Sequence, residues 1–202
     1  MKPIENYNNV KAYSEIKTLP KDGYVIEIKQ AKEVTDNGNP YIDIKFDIAE
    51  GEYKDFYKQD YDRQTGEDKK WRGSFRLYEP LQDGSERDGW TTREFKTFTN
   101  ALEDSNSGYH WDWDETKWAK KLIGGLFHYR DYQKQDGSAG TVLNFKRAAS
   151  VDDIRKGNFK LPKDNFRFGG YAPGTFNGNA PAETATEDGF VVTSEDEELP
   201  WN

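Results

Sequence analysis

The sequence predicts a mainly β domain: a five-stranded antiparallel barrel with a helix between its third and fourth strands, followed by a flexible acidic tail. Three observations lead there. Two early segments alternate apolar and polar residues with period two, and two late segments rich in β-branched and aromatic residues flank an Asp-Gly turn. Between these pairs, Phe95, Phe98, Ala101 and Leu102 fall at helical spacing. Beyond Pro162 the chain turns to Gly, Pro, Asn, Ala and Thr and loses its periodicity.

Residues 1–20 are polar with scattered apolar positions and form an N-terminal extension. In the first strand, Tyr24-Val25-Ile26-Glu27-Ile28-Lys29, the residues Tyr24, Ile26 and Ile28 share one face. In the second, residues 41–48, the same holds for Ile42, Ile44, Phe46 and Ile48. Asn37-Gly38 between them is a hairpin turn signal. Residues 55–61 (Asp55-Phe56-Tyr57-Lys58-Gln59-Asp60-Tyr61) read as a third strand region. A charged, Gly-containing loop at 64–70 leads to another aromatic run at 71–78, where alternation sets Trp71, Phe75 and Leu77 toward the core and Arg72, Arg76 and Tyr78 away from it. Residues 79–90 read as loop, and Thr91-Thr92-Arg93-Glu94 as the start of the helix that ends at Ser105-Asn106-Ser107-Gly108. A short amphipathic piece at 114–121 turns Trp118 inward. Strands at 122–130 and 141–147 follow, joined through Asp136-Gly137, and Gly124-Gly125 suggests a bulge or sharp bend. Residues 151–156 add a last helical turn. Hairpins at both ends with a helix before the fourth strand are the layout of an OB-fold, spanning residues 21–165, and a meander sheet with a packed helix would give the same order; the Gly-Gly bend and long two-sided strands favour the barrel.

Aromatics make up 15% of the chain against 34% hydrophobic residues overall, so Tyr, Phe and Trp must build much of the core. With no cysteine, disulfides and thiolate metal sites are excluded. No apolar run approaches the ~20 residues of a membrane span, and the first residues do not open a signal peptide. The net charge of −8 is uneven: from Phe166 onward seven carboxylates face Arg167 alone, leaving −2 on the first 165 residues. A basic groove on the body is compatible with that balance.

An enzyme reading finds little. His110 and His128 stand alone among aromatics, no nucleophile or phosphate-loop motif occurs, and no cofactor is expected. Asp112-Trp113-Asp114-Glu115 could hold a nuclease metal, but it also reads as a helix start capped by Asp114, and no metal site is assigned. A binding reading fares better. Unpaired nucleic acid needs cations along a groove and flat rings for its bases. Basic and aromatic residues interleave at Tyr57, Tyr61, Lys70, Trp71, Arg72, Arg76, Tyr78, Tyr129, Arg130 and Arg147, which become the candidate nucleic-acid contacts.

The chain closes on Glu195-Asp196-Glu197-Glu198-Leu199-Pro200-Trp201-Asn202, inside a tail expected to be flexible over 166–202. Four carboxylates and an apolar tip form a strip for a partner protein, with Glu195, Asp196, Glu197, Glu198, Leu199, Pro200 and Trp201 as its contacts. A purely solubilising tail gains nothing from Trp201.

This tail resembles the acidic tip of bacterial and phage single-stranded-DNA-binding proteins, with Trp for the usual final Phe and one further residue. The body resembles a family of Gram-positive phage and prophage replication and recombination proteins at Leu19-Pro20-Lys21-Asp22-Gly23-Tyr24, Phe46-Asp47-Ile48-Ala49-Glu50-Gly51-Glu52-Tyr53, Asp68-Lys69-Lys70-Trp71, the stretch 103–114 and Leu122-Ile123-Gly124-Gly125-Leu126-Phe127. The resemblance implies an OB-like fold, single-stranded DNA binding in the host cytoplasm and recruitment of replication or recombination proteins, with no catalytic residues. The oligomeric state stays open, a homodimer included. The rival expectations are an interaction or DNA-mimic inhibitor module without DNA affinity, and a nuclease using Asp112, Asp114 and Glu115.

Overall fold

The computed structural model describes residues 18–36 and 39–173, with Pro3 and Tyr7 besides. The Asn37-Gly38 turn, most of the N-terminal extension and the acidic tip lie outside the described residues. The elements run β1 (Gly23–Asp36), β2 (Asn39–Ile48), α1 (Phe56–Arg63), β3 (Ser74–Tyr78), α2 (Glu86–Ser105), a 3-10 turn (Glu115–Trp118), β4 (Leu122–Gln133), β5 (Ala139–Ala149) and α3 (Val151–Lys156). The five strands form one antiparallel sheet in the order β3-β2-β1-β4-β5. No backbone ladder joins β3 to β5 among the described residues, so the sheet is open where a closed barrel was expected.

The sheet is nevertheless strongly curled. β1 pairs with β4 only over Gly23–Glu27, whereas its pairing with β2 runs to Asp36. The register slips between Ile28 and Gln30, leaving Lys29 as an extra residue, and such bulges bend a strand. At that point Ile28 exchanges backbone bonds with Lys120 and Lys121 instead of β4 (2.7 and 3.0 Å). A second slip, opposite Leu126 and Phe127, skips Lys146 on β5. The two outer strands thereby face each other through side chains: Phe75 of β3 stacks on Phe145 of β5, rings 3.9 Å apart and 8° from parallel.

The alternating residues of β1 and β2 bury as their period requires, with Ile26, Ile28, Ile42, Ile44, Phe46 and Ile48 essentially without solvent contact. Phe98 and Leu102 of α2 and Trp118 seal one side of this core, with Phe98 and Trp118 rings 5.0 Å apart. Asp114 caps the 3-10 turn by accepting from the Thr116 N–H, as its position implies.

Three expectations change. Residues 55–61 are not a strand but the helix α1. Its local cap position, Asp55, is left-handed (φ 58°) and caps nothing with its side chain. The cap comes instead from the end of β2: Asp47, buried, accepts from the N–H groups of Tyr57 (2.9 Å) and Lys58 (3.0 Å) as well as its neighbour Ile48. Burial lifts the Asp47 carboxyl above its ordinary range even against those three N–H groups. Second, α2 begins at Glu86, with Ser85 accepting from the Asp88 N–H, so part of the expected 79–90 loop is helix. Third, Gly124 and Gly125 are not themselves the bulge. A Cβ on Gly124 would stand 2.5 Å from Ile154 of α3 and 2.8 Å from the Ala149 carbonyl, so the glycine lets α3 lie against the sheet.

The chain after α3 is not loose from residue 166 as expected. It runs beside β4 on the edge beyond the start of β1, which reaches no further than Leu126 in its ladder: Asn165 donates to the Tyr129 carbonyl (2.9 Å) and accepts from the Asp131 N–H (3.2 Å). The Asp131 carboxylate, 5% exposed, then gathers the N–H groups of Arg167, Phe168 and Gly170 at 2.6–3.0 Å. Burial pushes its pKa up, but those N–H groups outweigh it and hold the carboxyl below the usual carboxylate range.

The native state therefore takes up this proton less readily than the unfolded chain. The clasp's contribution is complete above the unfolded carboxyl's pKa of about 4 and is lost as pH falls through the lower native value. The amide resonances of Arg167, Phe168 and Gly170 should move to their released positions in acid, and Asp131→Ala should release them at neutral pH. Unchanged amide signals in the variant would show that the carboxylate does not hold the segment.

Candidate nucleic-acid interface

The curl that brings β3 toward β5 leaves a cleft of about 540 Å³ between their edges, bounded along one side by α2. β3 contributes Phe75, Arg76, Leu77 and Tyr78; β5 contributes Phe145, Lys146, Arg147 and Ala148. From α2 come Trp90, Arg93, Glu94, Thr97 and Phe98, successive turns of one helical face. Lys146 is the residue skipped by the bulge in β5, and its ammonium lies 5.9 Å from the centre of the Trp90 ring. Four cations thus stand around aromatic walls with one carboxylate among them.

What marks the cleft is that its cations cluster beside aromatic rings. On the rest of the surface some lysines and arginines meet acids, as Lys21 with Asp164, Lys58 with Asp62, Arg72 with Asp60, Lys117 with Asp112 and Asp114, Arg155 with Glu50 and Lys156 with Asp152, and others, such as Lys69, Lys70 and Arg130, form no salt bridge among the described residues. Among the described residues, Arg93, Lys146 and Arg147 have no acid within salt-bridge distance. Cations held together with one carboxylate among them still repel one another, and a polyanion relieves that repulsion. Aromatic faces beside them can take flat rings.

The residues expected from sequence divide among four places. Arg76, Tyr78 and Arg147 line the cleft. Arg76 also lies over the Tyr41 ring, 4.5 Å from its centre, at a position cross-strand from Asp43. Tyr57 does not face a ligand: it is buried in the core, its ring edge-on to Phe46 at 5.2 Å, and burial followed by the charges of Asp47 and Asp60 raises its hydroxyl pKa. That assignment is overturned by the helix: as α1, residues 56–63 turn Tyr57 inward.

Tyr61, Lys70, Trp71 and Arg72 gather at the link from α1 to β3. There Trp71 Nε1 donates to the carbonyls of Phe46 (3.1 Å) and Gly73 (3.0 Å), and its ring packs 5.9 Å from that of Tyr61. Gln64 bonds both backbone groups of Lys70. Trp71 is thereby a pin that docks β3 rather than a free platform. Gly73 permits this close approach, since a Cβ there would stand 2.4 Å from the Phe46 carbonyl oxygen. Tyr129, partly buried, and Arg130, exposed, lie on β4 beside the segment 163–170, away from the cleft lining. The seven tail residues fall outside the described residues.

Trp90, Arg93 and Lys146 were missed. Trp90 sat in a stretch read as loop because its Gly89 neighbour and outward face break the apolar period of the helix. Lys146 stands beside Arg147 in an interleaved stretch of the sequence, and strict alternation would put the two on opposite faces; the bulge suspends that rule and brings both to the cleft.

Asp112 and Asp114 both bind Lys117, and no convergent group of three acidic, His or Cys side chains occurs among the described residues. Between them Trp113 is 81% exposed, in a left-handed backbone conformation (φ 66°), its ring nearly parallel to Phe95. It does not line the cleft.

No protein-family model matches the chain, and no curated protein does.

The contrast between Tyr57 and Trp90 is measurable by denaturant unfolding. Tyr57→Ala should cost about 3–5 kcal/mol as a core truncation, whereas Trp90→Ala on the cleft wall should cost about 1 kcal/mol or less. Equal losses would mean that Trp90 belongs to the core.

Proposed function

We propose that this protein binds single-stranded DNA in the cleft between β3, β5 and α2. The observation that carries the reading is the group of cations without acidic partners, Arg93, Lys146 and Arg147, set beside the rings of Trp90 and Tyr78. In it the phosphates lie along the three cations and Arg76, and bases stack on the rings that line the cleft. Each stack contributes ~1–3 kcal/mol, so two or three give useful affinity without reading sequence. The strand order, with outer strands curled to face each other and a helix between the third and fourth, supports an OB-like barrel as the scaffold.

The alternative, a DNA-mimic or interaction module, calls for a surface of carboxylates. The cleft carries four cations to one carboxylate and weighs against it. The acidic tail supports a division of labour, in which the body holds DNA and Leu199-Pro200-Trp201 with its carboxylates engages a replication or recombination protein. The proposed setting is a phage protein at work in its host's cytoplasm.

Titration with oligo-dT should quench tryptophan fluorescence, and the affinity should fall with salt at a log–log slope of about −0.7 per phosphate neutralised. Substituting Arg93, Lys146 and Arg147 together by Ala should weaken binding and shrink that slope by about 2. A flat titration of the native protein at low salt would end the proposal. Removing residues 193–202 should leave oligo-dT binding intact or tighter while abolishing capture of the partner enzyme; loss of DNA binding instead would contradict the division of labour.

A further inference from the structure

Glu94 is the one carboxylate in the cleft lining, near Lys146 and Arg147 but in no hydrogen bond or salt bridge with them. It sits one helical turn after Trp90, so the two share a face of α2 and open into the same space. Among the described residues no hydrogen bond or salt bridge engages its side chain, although it is partly buried. Burial lifts its pKa above the ordinary glutamate range, against the pull of Lys146 and Arg147. A partly buried carboxylate without a bonded partner costs stability. Beside phosphates it also costs affinity. Neither folding nor backbone binding calls for it.

What a carboxylate offers is a pair of oxygens that only accept hydrogen bonds. The bases of an unpaired strand display their Watson–Crick edges, and these differ in the donors they present. Guanine alone shows two adjacent donors, N1–H and the N2 amino group, spaced to meet both oxygens at once. Cytosine and adenine each show one amino group beside a ring nitrogen that is itself an acceptor and repels the second oxygen. Thymine shows one N–H between two carbonyls. The charged, two-pronged pairing is the strong one.

We propose that Glu94 reads guanine: the cleft takes a guanine base against Trp90 with its N1–H and N2 amino group on the Glu94 carboxylate, while Lys146 and Arg147 hold the adjoining phosphate. This rests on the single-stranded DNA reading and refines it, giving an otherwise indifferent strand binder a preferred base in one position. The carboxylate's repulsion of phosphate then works as selection, since only a strand that supplies two donors there offsets it.

The test compares the full chain with Glu94→Gln, an isosteric change that removes a charge and no packing, on alternating oligonucleotides of thymidine with guanosine, adenosine or cytidine and on oligo-dT of equal length. The native protein should prefer the guanine-containing strand about tenfold or more, the range of a two-pronged base contact. Glu94→Gln should abolish that preference while binding oligo-dT as well as or better than the native protein. Equal native affinity for all strands overturns the guanine assignment and leaves strand binding standing. If the variant tightens every strand by one factor and keeps their ratios, Glu94 only repels phosphate and the assignment is likewise overturned. If no strand binds the native protein, the underlying reading of the cleft falls with it.

Discussion

Strand β1 cannot satisfy two neighbours along its whole length, and the rest of the molecule follows from how it divides itself. It keeps β2 to its end but releases β4 after Glu27, with the extra residue Lys29 marking the bend. Two consequences come from that short pairing, one at each end of it. Past Glu27 the sheet curls until Phe75 and Phe145, on strands that share no ladder, stack face to face. At the other end β1 starts at Gly23 opposite Leu126, so the rest of the β4 edge is open to the chain after α3, which fills it through Asn165 and is fastened by Asp131. A flat sheet of the same strands would leave β3 and β5 far apart, with no cleft between them.

Two buried aspartates do similar work in different places. Asp47 terminates β2 and starts α1, and Asp131 ends one strand's free edge and pins a returning segment. Each solves the same problem, backbone N–H groups that would otherwise lose water without gaining a partner. Their protonation behaviour differs because the balance differs. At Asp47 desolvation prevails over three N–H bonds; at Asp131 the N–H bonds prevail over desolvation.

Charge clustering beside aromatic rings marks the site. Around α1, α3 and the 3-10 turn, cations are matched by acids a few residues away or across an element boundary, and such exposed pairs contribute little each. In the cleft Arg93, Lys146 and Arg147 have no acid within salt-bridge distance among the described residues. Three cations held together with Glu94 as the one carboxylate in the lining keep an arrangement that folding alone does not favour. The same reasoning applies to Glu94, whose charge is set among those cations yet bonded to none of the described residues.

The order and period of the residues determined a good deal. Alternation in β1 and β2 identified the inward isoleucines and Phe46, helical spacing identified Phe95, Phe98 and Leu102, and Asp114 was legible as a cap, because each signal is local and its spacing is set by backbone geometry. The chemistry of the site, rings interleaved with cations, was legible as a kind of pattern. Its membership was not. Arg76, Tyr78 and Arg147 meet Trp90, Arg93 and Lys146 because a bulge, a curl and a helix from three separate parts of the chain converge. Tyr57 left the pattern because the group that starts its helix is an aspartate ten residues earlier on another element. A cap supplied from a distance and a register slip leave no periodic trace, so only the assembled sheet could decide which rings are walls and which are core.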